Sequence, residues 1–256
     1  MTDRPKVTLE VRGGIRILTL DDPDRRNAMG PRLGAELAGR VAEIRADRDA
    51  RALVVAATGA AFCAGADLPA VFGGPERPVH VLRDELRQVY DCFLGIIDLQ
   101  IPTIAAVQGP AIGAGLNLAL SCDLRFAGPR ATLGATFARI GLHPGGGCTY
   151  FLVRELGQQR ALRLLLEGGS LSAEQAAAAG VVLSVEDDPH AAAVSLAESI
   201  TALDPELARD IKSSVAIAAK HGLGPSLEFE AWAQASTATK PQIRETVARF
   251  AAGRHR

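Results

Sequence analysis

Two stretches of small residues are the first places where this sequence could do chemistry. One is Thr58-Gly59-Ala60-Ala61-Phe62-Cys63-Ala64-Gly65-Ala66-Asp67-Leu68 and the other is Gln108-Gly109-Pro110-Ala111-Ile112-Gly113-Ala114-Gly115-Leu116-Asn117. Small side chains let a ligand approach the backbone closely, and a turn that enters a helix leaves N–H groups unpaired. Two such groups converging on one carbonyl oxygen would form an oxyanion hole, where losing one donor costs roughly 10²–10³ in rate. Taken singly, either loop could be small only for tight packing. Gly113-Ala114-Gly115, opening a helix after a strand, also invites a dinucleotide-binding oxidoreductase reading. Against it, the three-glycine fingerprint is incomplete and no strand-end acid follows about 20 positions on. There is no Gly-x-Ser-x-Gly elbow and no phosphate-loop sequence. Cys63, Cys92, Cys122 and Cys148 are widely spaced, with no Cys-x-x-Cys and no histidine at zinc-finger spacing. No metal site is expected, and the thiols are expected to be free in a reducing cytoplasm.

The elements that must position these loops follow from periodicity. Val7–Val11 and Ile15–Leu20 read as a hairpin turning at Gly13-Gly14. Pro31 opens an amphipathic helix to about Asp47, with Leu33, Leu37, Val41 and Ile44 at helical spacing. Leu53–Ala57, Thr103–Val107, Leu124–Ala127 and Val181–Val185 read as strands. Further helices are expected from Val79 to about Ile97, from the second small-residue loop to Cys122, near Tyr150–Leu156, over Gln158–Glu167 and over Ala173–Ala179. Pro69–Pro78, with three prolines and two glycines, reads as a mobile loop. After Asp187 the pattern is helical throughout, at about 190–202, 205–220, 225–238 and 241–251. The expectation is an α/β core over 1–190 with a helical region over 191–256. The 28 Lys and Arg against 29 Asp and Glu, net −1, exclude the broad basic footprint of a nucleic-acid binder. Aromatic residues at 4% leave no stacking platform for single strands. No run approaches 18 apolar residues, so no membrane span is expected, and residues 1–16 show no secretory core.

Five segments, in order, carry a resemblance. They are Pro23-Asp24-Arg25-Arg26-Asn27-Ala28, then Ala61–Leu68, then Gln108–Asp123, then Gly141-Leu142-His143-Pro144-Gly145-Gly146-Gly147, and last Leu171-Ser172-Ala173-Glu174-Gln175-Ala176 followed by Gly180-Val181-Val182. Together they resemble the crotonase (enoyl-CoA hydratase/isomerase) family over nearly the whole chain. The resemblance implies a spiral of repeated ββα units with a C-terminal helical trimerisation region. It implies a homotrimer or a hexamer built as a dimer of trimers, acyl-CoA thioesters as substrate or ligand, and no further cofactor. The thioester carbonyl would lie between the backbone N–H groups of Ala66 and Ala114, the latter standing where the family usually has glycine. Arg25 and Arg26, with the backbone around Ala28, Ala64, Asp67 and Leu68, would hold the CoA. Pro69 stands where the family often has a basic residue, which removes one phosphate contact.

The same resemblance exposes a departure. The hydratases it points to use two glutamates flanking a water. Here those places fall on Asn117 and Phe137, and Gly145 stands where some isomerases carry an aspartate. General acid–base groups contribute roughly 10²–10⁴ each, so an efficient standard hydratase is not expected. His143 is the candidate substitute, since imidazole titrates near neutral pH. Asp67, Asp84 and Glu85 are weaker candidates, each readable as a helix cap or first-turn carboxylate. Asn117 could orient a water, Phe137 would wall an acyl pocket, and Asp123 reads as structural. Two functions remain open on this basis: a hydratase or isomerase with a non-standard acid/base, and a non-catalytic acyl-CoA-binding protein. Apolar residues at Leu227, Trp232, Val247 and Phe250 would serve assembly.

Overall fold

The computed structural model describes residues 6–253. In chain order its first part contains β1 (Val7–Arg12), β2 (Ile15–Leu20), α1 (Pro31–Ala46), β3 (Ala52–Ala57), α2 (Leu68–Phe72), α3 (Val79–Leu94), β4 (Thr103–Val107), β5 (Ala111–Ile112), α4 (Ala114–Leu120), β6 (Leu124–Ala127), β7 (Thr132–Gly134), α5 (Cys148–Leu156), α6 (Gln158–Leu166), β8 (Ser170–Ser172), α7 (Ala173–Ala178) and α8 (Pro189–Thr201). The hairpin forms as expected, with Val7 opposite Leu20. β3, β4 and β6 then add in parallel, giving the order β1-β2-β3-β4-β6.

The absence of alternation in these strands has a direct cause: both faces of the sheet are covered. Ile15, Ile17, Ala52, Val54, Ala56, Ile104 and Ala106 point to one side and pack with Ala193, Val194 and Ala197 of α8. The intervening Leu18, Leu20, Leu53, Val55, Ala105 and Val107 point to the other. They join the larger core with Leu33, Leu37, Val41 and Ile44 of α1, Phe93 of α3 and Leu116 of α4.

A second, smaller sheet has the order β5-β7-β8. Its strands are two or three residues long, too short to leave a periodic signal. It nevertheless fixes the entry to α4, because the Gly113 N–H donates to the Gly134 carbonyl at 2.8 Å.

Two expectations change. The Pro69–Pro78 stretch opens with α2, not a loop: Asp67 caps it by accepting the Ala70 N–H, and Pro69 falls in the first turn, where an N–H has no helical partner anyway. Val181–Val185 is not a strand. Val181 and Val182 are buried in the core, and the segment is held beside β6 by one bridge, Ala127 to Val185, by the Leu183 N–H donating to the Arg125 carbonyl and by Arg125 Nε donating to the Val181 carbonyl.

Internal packing divides the chain into a unit ending at Thr201, which includes α8, and a unit beginning at Ala202. The second consists of α9 (Pro205–Lys220), α10 (Leu223–Ala238) and α11 (Pro241–Gly253). Asp204 caps α9 by accepting the Glu206 and Leu207 N–H groups, both at 3.0 Å. Lys240 bridges Asp204 at 2.6 Å and Glu206 at 2.8 Å. The Lys240 ammonium holds the Asp204 carboxyl below the usual range. Among the described residues no helix is long and apolar enough to cross a membrane.

Candidate active site

The first small-residue loop leaves β3 and is stitched down on both sides. On one side Asn27, fully buried, donates through Nδ2 to the carbonyls of Thr58 at 2.9 Å and Ala61 at 3.0 Å, while its Oδ1 accepts the Asp22 N–H at 2.8 Å. Asn27 also has φ 54°, a conformation asparagine tolerates better than most residues. The Ala64 N–H donates to the Arg26 carbonyl, Met29 to Gly65, and Asp67 to Met29. On the other side, Phe62 and Cys63 donate to the Pro110 carbonyl, and Ile112 donates to Cys63. The two loops abut so closely that a Cβ on Gly115 would collide with the Cys63 carbonyl. Glycine at 115 is therefore a packing requirement.

After this stitching several loop N–H groups are left over, those of Gly65, Ala66, Ala114 and Gly115 among them. Among the described residues neither Ala66 nor Ala114 donates a hydrogen bond. Ala114 is the first residue of α4, where an orphan N–H is expected. A Cβ placed on Gly65 would lie 4.0 Å from the Ala114 nitrogen, so the two loops meet where these residues stand. Both alanines line a cavity of about 370 Å3. Ala64, Leu68, Asn117, Phe137 and His143 line it as well.

The remaining expected residues fall around this cavity with distinct environments. Phe137 lies in a short 3₁₀ segment, Thr136–Ile140, and its ring tip would stand 3.6 Å from a Cβ on Gly113. It is an apolar wall. His143 is exposed, and its Nδ1 lies 2.8 Å from the Pro144 carbonyl. A carbonyl only accepts, so Nδ1 carries the proton and the neutral ring presents Nε2 as its acceptor. Asp67 is taken up by capping α2 and by an ion pair with Arg25 at 2.5 Å. Arg26 is exposed, with no acidic partner among the described residues, and Ala28 is half-buried in the same turn. Asp84 pairs with Arg83 at 2.8 Å and Glu85 with Arg77 at 2.6 Å. Neither lines this cavity; Glu85 lines a second one, of about 600 Å3. Asp123 accepts from the Thr103 N–H and hydroxyl and is structural.

Asn117 is 1% exposed. Its Nδ2 donates to the Gly145 carbonyl at 2.8 Å, which fixes the orientation of the amide, and its Oδ1 is buried with no partner. Tyr90 of α3 is a cavity residue that periodicity hid, because it reads as one more position on a helix face. It is half-buried, and its hydroxyl occupies the place where a Cβ on Gly145 would go. Burial pushes the Tyr90 phenol above its ordinary value, opposed by the Gly146 N–H that faces its oxygen. No described group accepts the Tyr90 proton. Cys63, behind the loop, is fully buried and its thiol is pushed up to about 11 by that burial, which makes it inert.

Comparisons with known proteins agree with the sequence resemblance. A sequence model of the family described as enoyl-CoA hydratase/isomerase matches residues 10–255. The chain is similar to the probable enoyl-CoA hydratase EchA14 of Mycobacterium tuberculosis, at 40% identity over all of both chains. It is similar to the 1,2-epoxyphenylacetyl-CoA isomerase of Escherichia coli, at 33% identity over 95% of this chain and 94% of the relative. Among solved structures, the enoyl-CoA hydratase of Bacillus anthracis superposes with a TM-score of 0.87 at 27% identity, over 97% of this chain and 96% of that one. A Thermobifida fusca relative solved in complex with CoA superposes with a TM-score of 0.82 at 30% identity, over 95% of each chain.

Proposed function

The chain belongs to the enoyl-CoA hydratase/isomerase family and has the crotonase fold, and from that premise we propose that it binds an acyl-CoA thioester and stabilises its enolate between the N–H groups of Ala66 and Ala114. The observation that carries the reading is the pair of unspent N–H groups at the meeting of two stitched loops, on the wall of one cavity. Donors fixed in place before the charge develops need no reorganisation when it does. The exposed Arg26 and the loop backbone around Ala28, Ala64 and Leu68 would receive the CoA, and a relative binds CoA on this fold. Arg25 and Asp67 are tied to each other, so their part would be to hold the loop.

His143 would move the proton, with its Nε2 as the accepting atom. One such group can take a proton from C2 of a 3-enoyl thioester and return it to C4, with no net change in composition. Hydration instead needs a water activated at C3 and a proton delivered to C2. Isomerisation therefore suits a cavity with Asn117, Phe137 and Gly145 in place of carboxylates. The same three residues favour a second reading, acyl-CoA binding without turnover.

The test uses crotonyl-CoA hydration and 3-enoyl-CoA isomerisation, with wild type compared to His143→Ala and Ala114→Pro. Proline at a first helical position removes the N–H at little cost to the helix. Isomerisation is expected to fall roughly 10²–10³-fold in Ala114→Pro and roughly 10²–10⁴-fold in His143→Ala. Calorimetric binding of butyryl-CoA without turnover of either substrate would establish the second reading. An unchanged rate in Ala114→Pro would sink the oxyanion hole.

We also propose a homotrimer, or a dimer of trimers, held by the C-terminal helices. Leu227, Trp232, Val247 and Phe250 are all exposed on the single chain, between 53% and 72%, and exposed apolar groups of this size and number mark association surfaces.

A further inference from the structure

α2 is five residues long, Leu68–Phe72, and three of them, Leu68, Val71 and Phe72, line the candidate active-site cavity. A helix of that length does not hold itself in water, so its place depends on what pins its two ends. At the first end Asp67 accepts the Ala70 N–H and is itself paired with Arg25. At the other end the last carbonyls of a helix lack partners of their own, and Arg77 supplies them. Its Nη2 donates to the Val71 carbonyl at 2.9 Å and to the Gly73 carbonyl at 3.3 Å, while its Nη1 meets Glu85 of α3 at 2.6 Å. One guanidinium thus ties the end of α2 to α3, a task its rigid fork of donors suits. The connecting chain runs through Gly73-Gly74, with nothing within 4 Å of the side-chain place of Gly74, so packing there does not replace the tie.

What the tie fixes is a wall. The active-site cavity, of about 370 Å3, and the second cavity, of about 600 Å3, have two lining residues in common, Val71 of α2 and Val89 of α3. Their neighbours divide between the two spaces: Phe72 and Tyr90 line the first, Ala70 and Gln88 the second. The two valines therefore stand where α2 and α3 part the cavities. The Arg77–Glu85 pair borders the second cavity and is partly exposed, so it adds little to global stability. Its effect is local, on where α2 and Val71 stand.

We propose that Arg77 is a positioning residue: tied to Glu85, it holds Val71 in a partition with Val89 that closes the active-site cavity against the second cavity and so limits the length of acyl chain the site accepts. The inference rests on the acyl-CoA reading above and narrows its substrate class to short acyl chains.

Calorimetric titration of the full chain with butyryl-, hexanoyl-, octanoyl- and decanoyl-CoA tests it by binding alone. Each methylene that enters an apolar cavity raises affinity about fourfold, until the chain meets a wall. For the wild type the rise is expected to stop within the series. In Val89→Ala, which thins the partition, it should run on to longer chains, with a gain of roughly 10-fold for the next thioester in the series. Arg77→Ala should move the stopping length in the same direction with both valines untouched, and Glu85→Ala, which leaves the guanidinium without its anchor, should move it too. A merely structural loss would weaken all four thioesters together and leave the stopping length where the wild type has it, which overturns the role of Arg77. A rise that runs unbroken through decanoyl-CoA in the wild type overturns the partition. If no thioester binds the wild type, the acyl-CoA reading itself falls, a result distinct from binding without a length limit.

Discussion

At the scale of single residues, the site depends on side chains that spend their polarity on backbone. Asn27 illustrates this. In the sequence it belongs to a short motif beside two arginines, and the arginines draw attention as ligands for phosphate. In the fold Asn27 closes three hydrogen bonds to two segments while fully buried. Asn27→Ala strands the Thr58 carbonyl and the Asp22 N–H, leaves the Ala61 carbonyl to Gln108 Nε2 alone, and forces alanine into a left-handed conformation. Urea unfolding should show a loss of about 2 kcal/mol or more, with acyl-CoA affinity falling as the Ala66 loop loosens. A variant as stable as wild type would show that the loop is held by its backbone bonds alone. Residues 61–68 and 108–117 were readable as backbone-approach loops because small side chains in a row have few other uses. Asn117 and Tyr90 were not readable in this way. The partner of Asn117 lies 28 positions away, and Tyr90 meets Gly145 only after β4, β5, α4, β6 and β7, which intervene in the chain, are packed.

At the scale of elements, the sequence was informative wherever one residue type dominates the outcome. Pro31 opens α1, Gly13-Gly14 turns the hairpin, and unbroken apolar runs form the buried strands. It was misleading where prolines and glycines crowd together, since Pro69 sits comfortably in the first turn of α2 once Asp67 caps it. It was silent on the small sheet, whose strands are held by partners distant in sequence. The tie between β1 and α1 gives an element-scale prediction. Glu36 of α1 accepts the N–H groups of Lys6 at 2.5 Å and Val7 at 3.0 Å. Burial raises its carboxyl, but the Arg32 hydrogen bond and those two N–H groups outweigh this and hold it below its ordinary 4.5. A folded-state value below the unfolded one means the tether is fully present above about pH 4.5 and is lost as pH falls further. Hydrogen exchange at Lys6 and Val7, corrected for intrinsic rate, should therefore quicken on acidification below that point. In Glu36→Gln it should already be quick at neutral pH, and an acid-insensitive wild type would refute the tether.

At the scale of the whole molecule, net charge and length take on specific meaning. A chain with net charge −1 can still receive a polyphosphate ligand if one or two guanidinium groups stand at the right turn, and Arg26 there has no acidic partner among the described residues. The helical C-terminal stretch was plain from its periodicity. What covers its apolar residues was not, because a helix pattern names a face without naming its partner. Trp232, the only tryptophan, is 63% exposed on the single chain and therefore reports assembly directly. Its emission should lie to the blue at micromolar protein and move to the red on dilution, alongside a trimeric or hexameric mass by light scattering. Trp232→Glu should give monomers at the same concentration. A red-shifted emission that ignores concentration, with a monomeric mass, would end the assembly proposal.

The contact between Gly145 and Tyr90 also bears on redesign. The Tyr90 hydroxyl stands where any side chain at position 145 would begin, so the glycine and the phenol share one space. A carboxylate introduced as Gly145→Asp needs the phenol to swing aside, or a paired Tyr90→Ala change that vacates the space. The two positions therefore behave as one unit, and what can be built at 145 is set by the size of the side chain at 90.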